Sequence, residues 1–113
     1  MSRDLSRGDT PTLILTVLAD GKCHGYAIAR EIERKSGQLF QMREGALYPA
    51  LRVLEQDGFI EGQWEVQPVG PARKVYLITD EGRRELAARK KDWKTYVETF
   101  NRFLEGDKNA QPA

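Results

Sequence analysis

Between Met42 and Ile60 the chain carries Arg43, Gly45, Ala46, Tyr48, Pro49, Arg52 and Gln56, and farther on Arg73 and Lys74 stand side by side. These residue types suit one kind of chemistry. A guanidinium can grip guanine through two hydrogen bonds and a Gln amide can do the same with adenine, while Arg, Lys and a Tyr hydroxyl can meet phosphate oxygens. Gly45 and Ala46 at a helix start would let backbone N–H groups come close to a phosphate. Leu47, Leu51 and Leu54 repeat at the spacing of a buried helical stripe, which puts Gly45, Pro49, Arg52 and Gln56 on the opposite face with Tyr48 flanking them. A plainly solvated face would carry several Lys and Glu instead. Pro49 is cheap only near a helix start, so the helix is expected to open near Glu44 to Ala46, with Gly45, Ala46, Tyr48 and Pro49 in its N-terminal turn.

Other chemistries lack their residues. One cysteine, Cys23, excludes an internal disulfide, and it has no partner at zinc-ligand spacing. The only histidine, His24, has no companion ligand, so capping or packing is its expected role. No nucleophile and base arrangement and no phosphate-cradling loop stand out, so the chain is not expected to be an enzyme or to hold a cofactor. Lys and Arg number 18 against 17 Asp and Glu, a formal charge of +1, so nucleic-acid binding has to rest on local charge. The N-terminus has no apolar signal-peptide core and no run is long enough to span a bilayer, so a cytoplasmic protein with no membrane partner is expected.

With 113 residues and 40% hydrophobic content, one core is expected. Residues 1–8 read as a flexible arm. Asp9 or Thr10 then caps a first helix with Pro11 in its opening turn and Leu13, Ile14, Val17 and Leu18 along it, stopping at Asp20-Gly21. A second helix has Ile28, Ala29 and Ile32 inward and ends at Ser36-Gly37. Gly58 terminates the third, and from there the period changes to two. Ile60, Gly62, Trp64 and Val66 predict one buried face of a strand, which returns after Pro68-Val69-Gly70-Pro71-Ala72 through Arg73 to Ile78. Thr79, with Asp80 and Glu81 behind it, caps a last helix to about Leu104. Residues 105–113 read as a disordered tail.

Three helices followed by a hairpin is the order of a winged helix-turn-helix, here residues 9–78, in which the third helix enters the major groove and the hairpin lies on the backbone. The fold class expected is mainly α with a small β-hairpin (α+β), followed by a C-terminal dimerisation helix over residues 79–104. Leu86, Trp93, Tyr96, Val97, Phe100, Phe103 and Leu104 give that helix more apolar surface than a core this small can cover. Together with Leu13 and Val17 they form the expected dimer interface. Arg73 and Lys74 would supply salt-dependent phosphate affinity, and Arg52 and Gln56 would read base edges.

The chain also resembles the PadR family of transcriptional regulators. The resemblance runs from Leu13 to about Trp93, through His24-Gly25-Tyr26, Gly45-Ala46-Leu47-Tyr48-Pro49-Ala50-Leu51, Leu54-Glu55-Gln56-Asp57-Gly58-Phe59-Ile60, Gly70-Pro71-Ala72-Arg73-Lys74-Val75-Tyr76 and Leu77-Ile78-Thr79-Asp80-Glu81-Gly82-Arg83. It implies a homodimeric repressor on palindromic double-stranded DNA, dimerised by its last helix and in some members released by a small aromatic effector. Trp93, with Tyr96 beside it, is the counterpart of a tryptophan that lines a ligand pore in short members. Ala46 stands where Thr is frequent and Val75 where a second Tyr is common.

Plainer roles stand beside these. Tyr48 and Pro49 could be only a helix-start device, Arg52 an ordinary exposed arginine, and Arg73 and Lys74 edge-strand charges that discourage aggregation. Tyr26 could reach a phosphate or simply pack, and Trp93 could be dimer core alone. The cations from Arg83 to Lys94 read as a solvated face. A winged-helix module that binds another protein instead of DNA is the alternative function.

Overall fold

The computed structural model describes residues 3–4 and 9–106. Nine elements follow in chain order: β1 (Arg3–Asp4), α1 (Thr10–Ala19), β2 (Cys23–His24), α2 (Gly25–Lys35), β3 (Phe40–Gln41), α3 (Glu44–Gln56), β4 (Ile60–Glu65), β5 (Arg73–Ile78) and α4 (Asp80–Glu105). The expected arm over 1–8 lies outside the described residues except for β1, which pairs in parallel with β3. The tail lies outside them beyond Gly106.

Helix α1 is the centre of the fold. Asp9 takes its N-cap position, Pro11 sits in its first turn, and Ile14, Leu15 and Leu18 are fully buried. It touches α2, α3, α4 and β5. Ile28, Ala29 and Ile32 of α2 and Leu47, Leu51 and Leu54 of α3 close over it, at the positions their helical spacing predicts. Gly58, at φ +79°, ends α3 in the left-handed conformation that glycine tolerates. Thr79 caps α4, its hydroxyl accepting from Gly82 N–H at 3.0 Å and donating to the Gly58 carbonyl at 2.6 Å. One side chain thus ties the end of α3 to the start of α4.

The sheet is larger than a hairpin. β2 joins it antiparallel to β5, giving the order β2-β5-β4, with Cys23 opposite Tyr76 and His24 opposite Val75. Only the root of β4 covers the core. Ile60 is buried, but Trp64 is 69% exposed and Val66 lies in solvent, against the expected inward alternation. β4 is an edge strand, and past Ile60 its side chains border an open cleft beside α2 and α3 rather than the buried core.

Two positions expected at a dimer interface belong instead to the protomer's own core. Val17 is 7% and Leu86 4% exposed, packed in the central cluster, which leaves them almost no surface for a second chain. The rest of α4 differs. Its 26 residues span about 39 Å at 1.5 Å per residue, and beyond Leu86 none of its described side chains is buried. The radius of gyration, 17.5 Å, exceeds the roughly 13 Å of a compact chain of about this length.

Gly82 sits so close to the α3–β4 connection that a Cβ there would lie 2.0 Å from the Phe59 carbonyl oxygen and 2.8 Å from Ile78 Cγ1. Backbone cannot step aside cheaply, so Gly82→Ala is expected to destabilise the fold by roughly 1–3 kcal/mol. A fall in thermal unfolding midpoint relative to wild type would register it, and an unchanged midpoint would refute the close approach.

Candidate nucleic-acid interface

Helix α3 starts at Glu44 with Arg43 at its N-cap position, so Pro49 is the sixth helical residue and not part of the opening turn. The expectation that Tyr48 and Pro49 share that turn is corrected: they sit one turn farther in. Proline has no N–H, so the Gly45 carbonyl loses its donor four residues on, a cost of up to about 3 kcal/mol in a regular helix interior. Packing of Leu47, Leu51 and Leu54 offsets it.

The outer face of α3 is as the spacing predicts. Gly45, Ala46, Tyr48, Pro49, Arg52 and Gln56 are all exposed while the leucine stripe is buried. Sequence reading missed Val53, which is 52% exposed on the same face; an apolar residue outside the leucine stripe was the available signal.

Tyr48 is held by a neighbouring helix. A Cβ on Gly25 would lie 3.2 Å from Tyr48 Cε1, so the phenol rests against the bare backbone at the start of α2. That contact gives the adjacent His24-Gly25-Tyr26 a physical reason. Tyr26 projects outward, 5.5 Å from the Arg30 guanidinium by its ring centroid. His24 makes no cap bond. Its ring turns toward β4, with Nε2 3.9 Å from Glu65 Oε1.

A cleft between α2, α3 and the hairpin brings together Tyr26, Tyr48, Trp64, Arg73, Lys74 and Tyr76. Four of these were sequence candidates; Trp64 and Tyr76 were not. Trp64 was assigned inward by the alternation, and its exposure could not be read without knowing where β4 leaves the core.

Lys74 is already engaged. Its Nζ lies 3.1 Å from Glu55 Oε1, 5.4 Å from the Tyr76 ring centroid and 6.0 Å from that of Trp64. Glu55 Oε2 accepts the Gly62 N–H at 3.3 Å, so one carboxylate of α3 holds both strands of the hairpin. A partly exposed pair of this kind is worth no more than about 1 kcal/mol to stability; it positions the strands. Gly62 permits the crossing, since a Cβ there would lie 2.3 Å from Lys74 Cε. Burial pushes the Tyr76 phenol up from its ordinary value, with Lys74 opposing, so the hydroxyl keeps its proton through the neutral range. Arg73, the first residue of β5, lies at the turn end of the hairpin, exposed opposite Glu65.

Cys23 is half-buried, and burial pushes its thiol up, which makes it less reactive than a free cysteine. Among the described residues there is no cluster of His, Cys, Asp or Glu that could hold a metal and no helix long and apolar enough to cross a membrane.

On α4, Trp93, Tyr96 and Phe100 form a row of stacked rings, with centroids 5.6 and 5.9 Å apart and planes within 21°. They are 58%, 58% and 49% exposed, and Phe103 and Leu104 beyond them are more open still, whereas Val97 is partly covered. Leu13 is half-buried against the central cluster.

Comparison with known proteins agrees with this geometry. The profile of the transcriptional regulator PadR-like family matches residues 14–88. The negative transcriptional regulator PadR of Bacillus subtilis is 33% identical over 73 residues, covering 65% of this chain and 40% of that protein, so the chain spans about two fifths of that relative's length. An uncharacterized protein of Lysinibacillus sphaericus is 32% identical over 91% of this chain and 94% of its own length. A transcriptional regulator from Clostridium thermocellum superimposes with a TM-score of 0.81 at 31% identity, over 87% of this chain and 95% of that one.

Replacing Glu55 with Ala should release both hairpin strands. The Gly62 amide is expected to exchange with solvent faster while α1 amides keep their protection, measured by hydrogen exchange. Equal protection at Gly62 in variant and wild type would show that the carboxylate holds nothing.

Proposed function

This chain belongs to the PadR-like family of transcriptional regulators, whose members are not enzymes, and from that premise we propose that it is a cytoplasmic homodimeric repressor that binds palindromic double-stranded DNA. The observation that carries the reading is the cleft in which Tyr26, Tyr48, Arg73 and Lys74 meet beside the exposed face of α3. Helix α3 enters the major groove, with Arg52 and Gln56 facing base edges. Tyr26, Tyr48 and Arg73 meet phosphates along one side of the groove, and Gly45 at the helix start turns its backbone N–H to a phosphate, while the Ala46 N–H is given to the Arg43 carbonyl at 3.0 Å and Ala46 serves by its small size. Lys74, already paired with Glu55, contributes position more than charge.

The aromatic row on α4 supports the dimer. A projecting helix with Trp93, Tyr96, Phe100, Phe103 and Leu104 in solvent gains stability by packing on its copy. The same row supports release by a planar aromatic effector, because Trp93 and Tyr96 already stack at ring-to-ring spacing and a flat ligand between two such rows would extend the stack.

Footprinting on duplex DNA upstream of the chain's own gene is expected to show two protected half-sites about one helical turn apart, on the order of 34 Å. A single unpaired site would contradict the dimer, and no protection of any duplex would favour a protein-binding module. Arg73→Ala should weaken binding to all sequences alike and reduce the salt slope by about one per head, whereas Arg52→Ala should cost about 1–3 kcal/mol at one base position.

Phe100→Glu is expected to yield monomers by sedimentation with the helical head still folded. Quenching of Trp93 fluorescence by planar aromatics would support the effector. A flat titration across a broad panel would dismiss it.

A further inference from the structure

The exposed face of α3 is chemically divided along its length. Toward the hairpin stand Tyr48 and Arg52, which are polar. Toward the N-terminal end of α1 stand Ala46, Pro49 and Val53, which line a shallow open groove with Pro11 and Met42. The three are spaced by three and four residues, one flank of a helix, and all are exposed.

This flank is not explained by folding. Val53 is β-branched and half in solvent, so it adds little to the core and lowers helix propensity relative to Ala. Lys or Glu at such a position would be the ordinary choice. Arg43 and Gln41 line the same groove beside the start of α3, whereas Pro49 and Val53 stand farther along the helix, where a small apolar group could sit against them without stripping water from a charge.

We propose that Ala46, Pro49 and Val53 read the 5-methyl groups of thymine in the operator half-site, with Val53 as the discriminating side chain. The inference rests on α3 being the helix that enters the major groove. In that groove the thymine methyl is the one apolar feature a base pair presents, and it lies beside acceptor atoms suited to an Arg or Gln. The apolar flank is continuous with the polar one, so a single docked helix presents both chemistries to neighbouring bases. The small size of Ala46 and Pro49 lets the duplex approach closely enough for Val53 to reach a methyl.

The test uses the full chain and a duplex that it selects from a randomised pool. Each thymine of the half-site is replaced in turn by deoxyuridine, which removes the methyl and leaves every hydrogen-bonding atom. At one or two positions the substitution is expected to weaken binding about fourfold, the effect of losing one buried methyl-sized group. Val53→Ala should bind the thymine and deoxyuridine duplexes equally at those positions. Val53→Thr, which keeps the shape but exchanges one γ-methyl for a hydroxyl, should reduce the discrimination without abolishing it while folding as wild type does.

If no deoxyuridine duplex binds more weakly than its parent, methyl reading is overturned while DNA binding stands. A discrimination that persists undiminished in Val53→Ala would remove Val53 from the role. Failure to select any duplex would instead sink both this inference and the DNA-binding reading beneath it.

Discussion

The burial of α1 governs the rest of the molecule. With Ile14, Leu15 and Leu18 fully enclosed, this ten-residue helix is covered by α2, α3, α4 and β5. At 1.5 Å per residue it offers about 15 Å of length, against the roughly 39 Å of α4. It therefore meets only the first half of α4, through Leu86 and through Arg89, whose guanidinium lies 3.3 Å from Thr12 Oγ1, and beyond Arg89 none of the described side chains of α4 is buried. Among the described residues the aromatic row from Trp93 onward is thus left exposed, because the central helix is short. The same packing fixes the orientation of α3: once Leu47, Leu51 and Leu54 are spent on α1 and α2, the face holding Gly45, Pro49, Arg52 and Gln56 must point outward.

Charge is distributed sparingly around that face. The net charge is +1, and one of the two cations at the turn end of the hairpin is matched by Glu55 at 3.1 Å. Salt-dependent affinity for a polyanion scales with the number of phosphates neutralised, so a single head built this way has few to contribute. Two heads joined through α4 would double the count without adding a cation to either. Thin local charge and an exposed aromatic helix would in this sense be complementary: the first would make a lone protomer a weak binder, and the second would supply the means of pairing.

Most of the helical architecture was legible in the residues, because α1 to α4 carry long periodic stripes with chemical stops such as Gly58 and a cap such as Thr79. The sheet was legible only in part. Alternation at Ile60, Gly62, Trp64 and Val66 correctly signals an extended chain, but it presumes a core beneath the whole strand, and past Ile60 β4 borders an open cleft instead. β2 has two residues, too few for any period to show, and it is visible only through its pairing with Cys23 opposite Tyr76. Val17 and Leu86 illustrate the opposite limit: a heptad-like spacing shows that a residue is apolar and facing inward, not which chain it faces. The Glu55–Lys74 pair joins residues distant in sequence and could not be inferred without the fold.

The composition of α3 shows how these constraints meet at the site. Gly45 and Pro49 are poor helix formers, and in an isolated peptide their combination would disfavour the very segment that must be rigid. Here rigidity comes from outside the helix. The leucine stripe anchors it from below, Tyr48 rests against the backbone at Gly25, and Glu55 locks it to the hairpin. Because tertiary contacts hold the shape, the outer residues are released from the need to favour a helix and can be chosen for low profile. Gly45, Ala46 and Pro49 add little height above the backbone, so a surface laid against this face meets the helix axis closely. The bulkier Tyr48, Arg52, Val53 and Gln56 stand around that low ground. A long side chain at Gly45 or Pro49 would leave the fold intact and hold an approaching partner away from them.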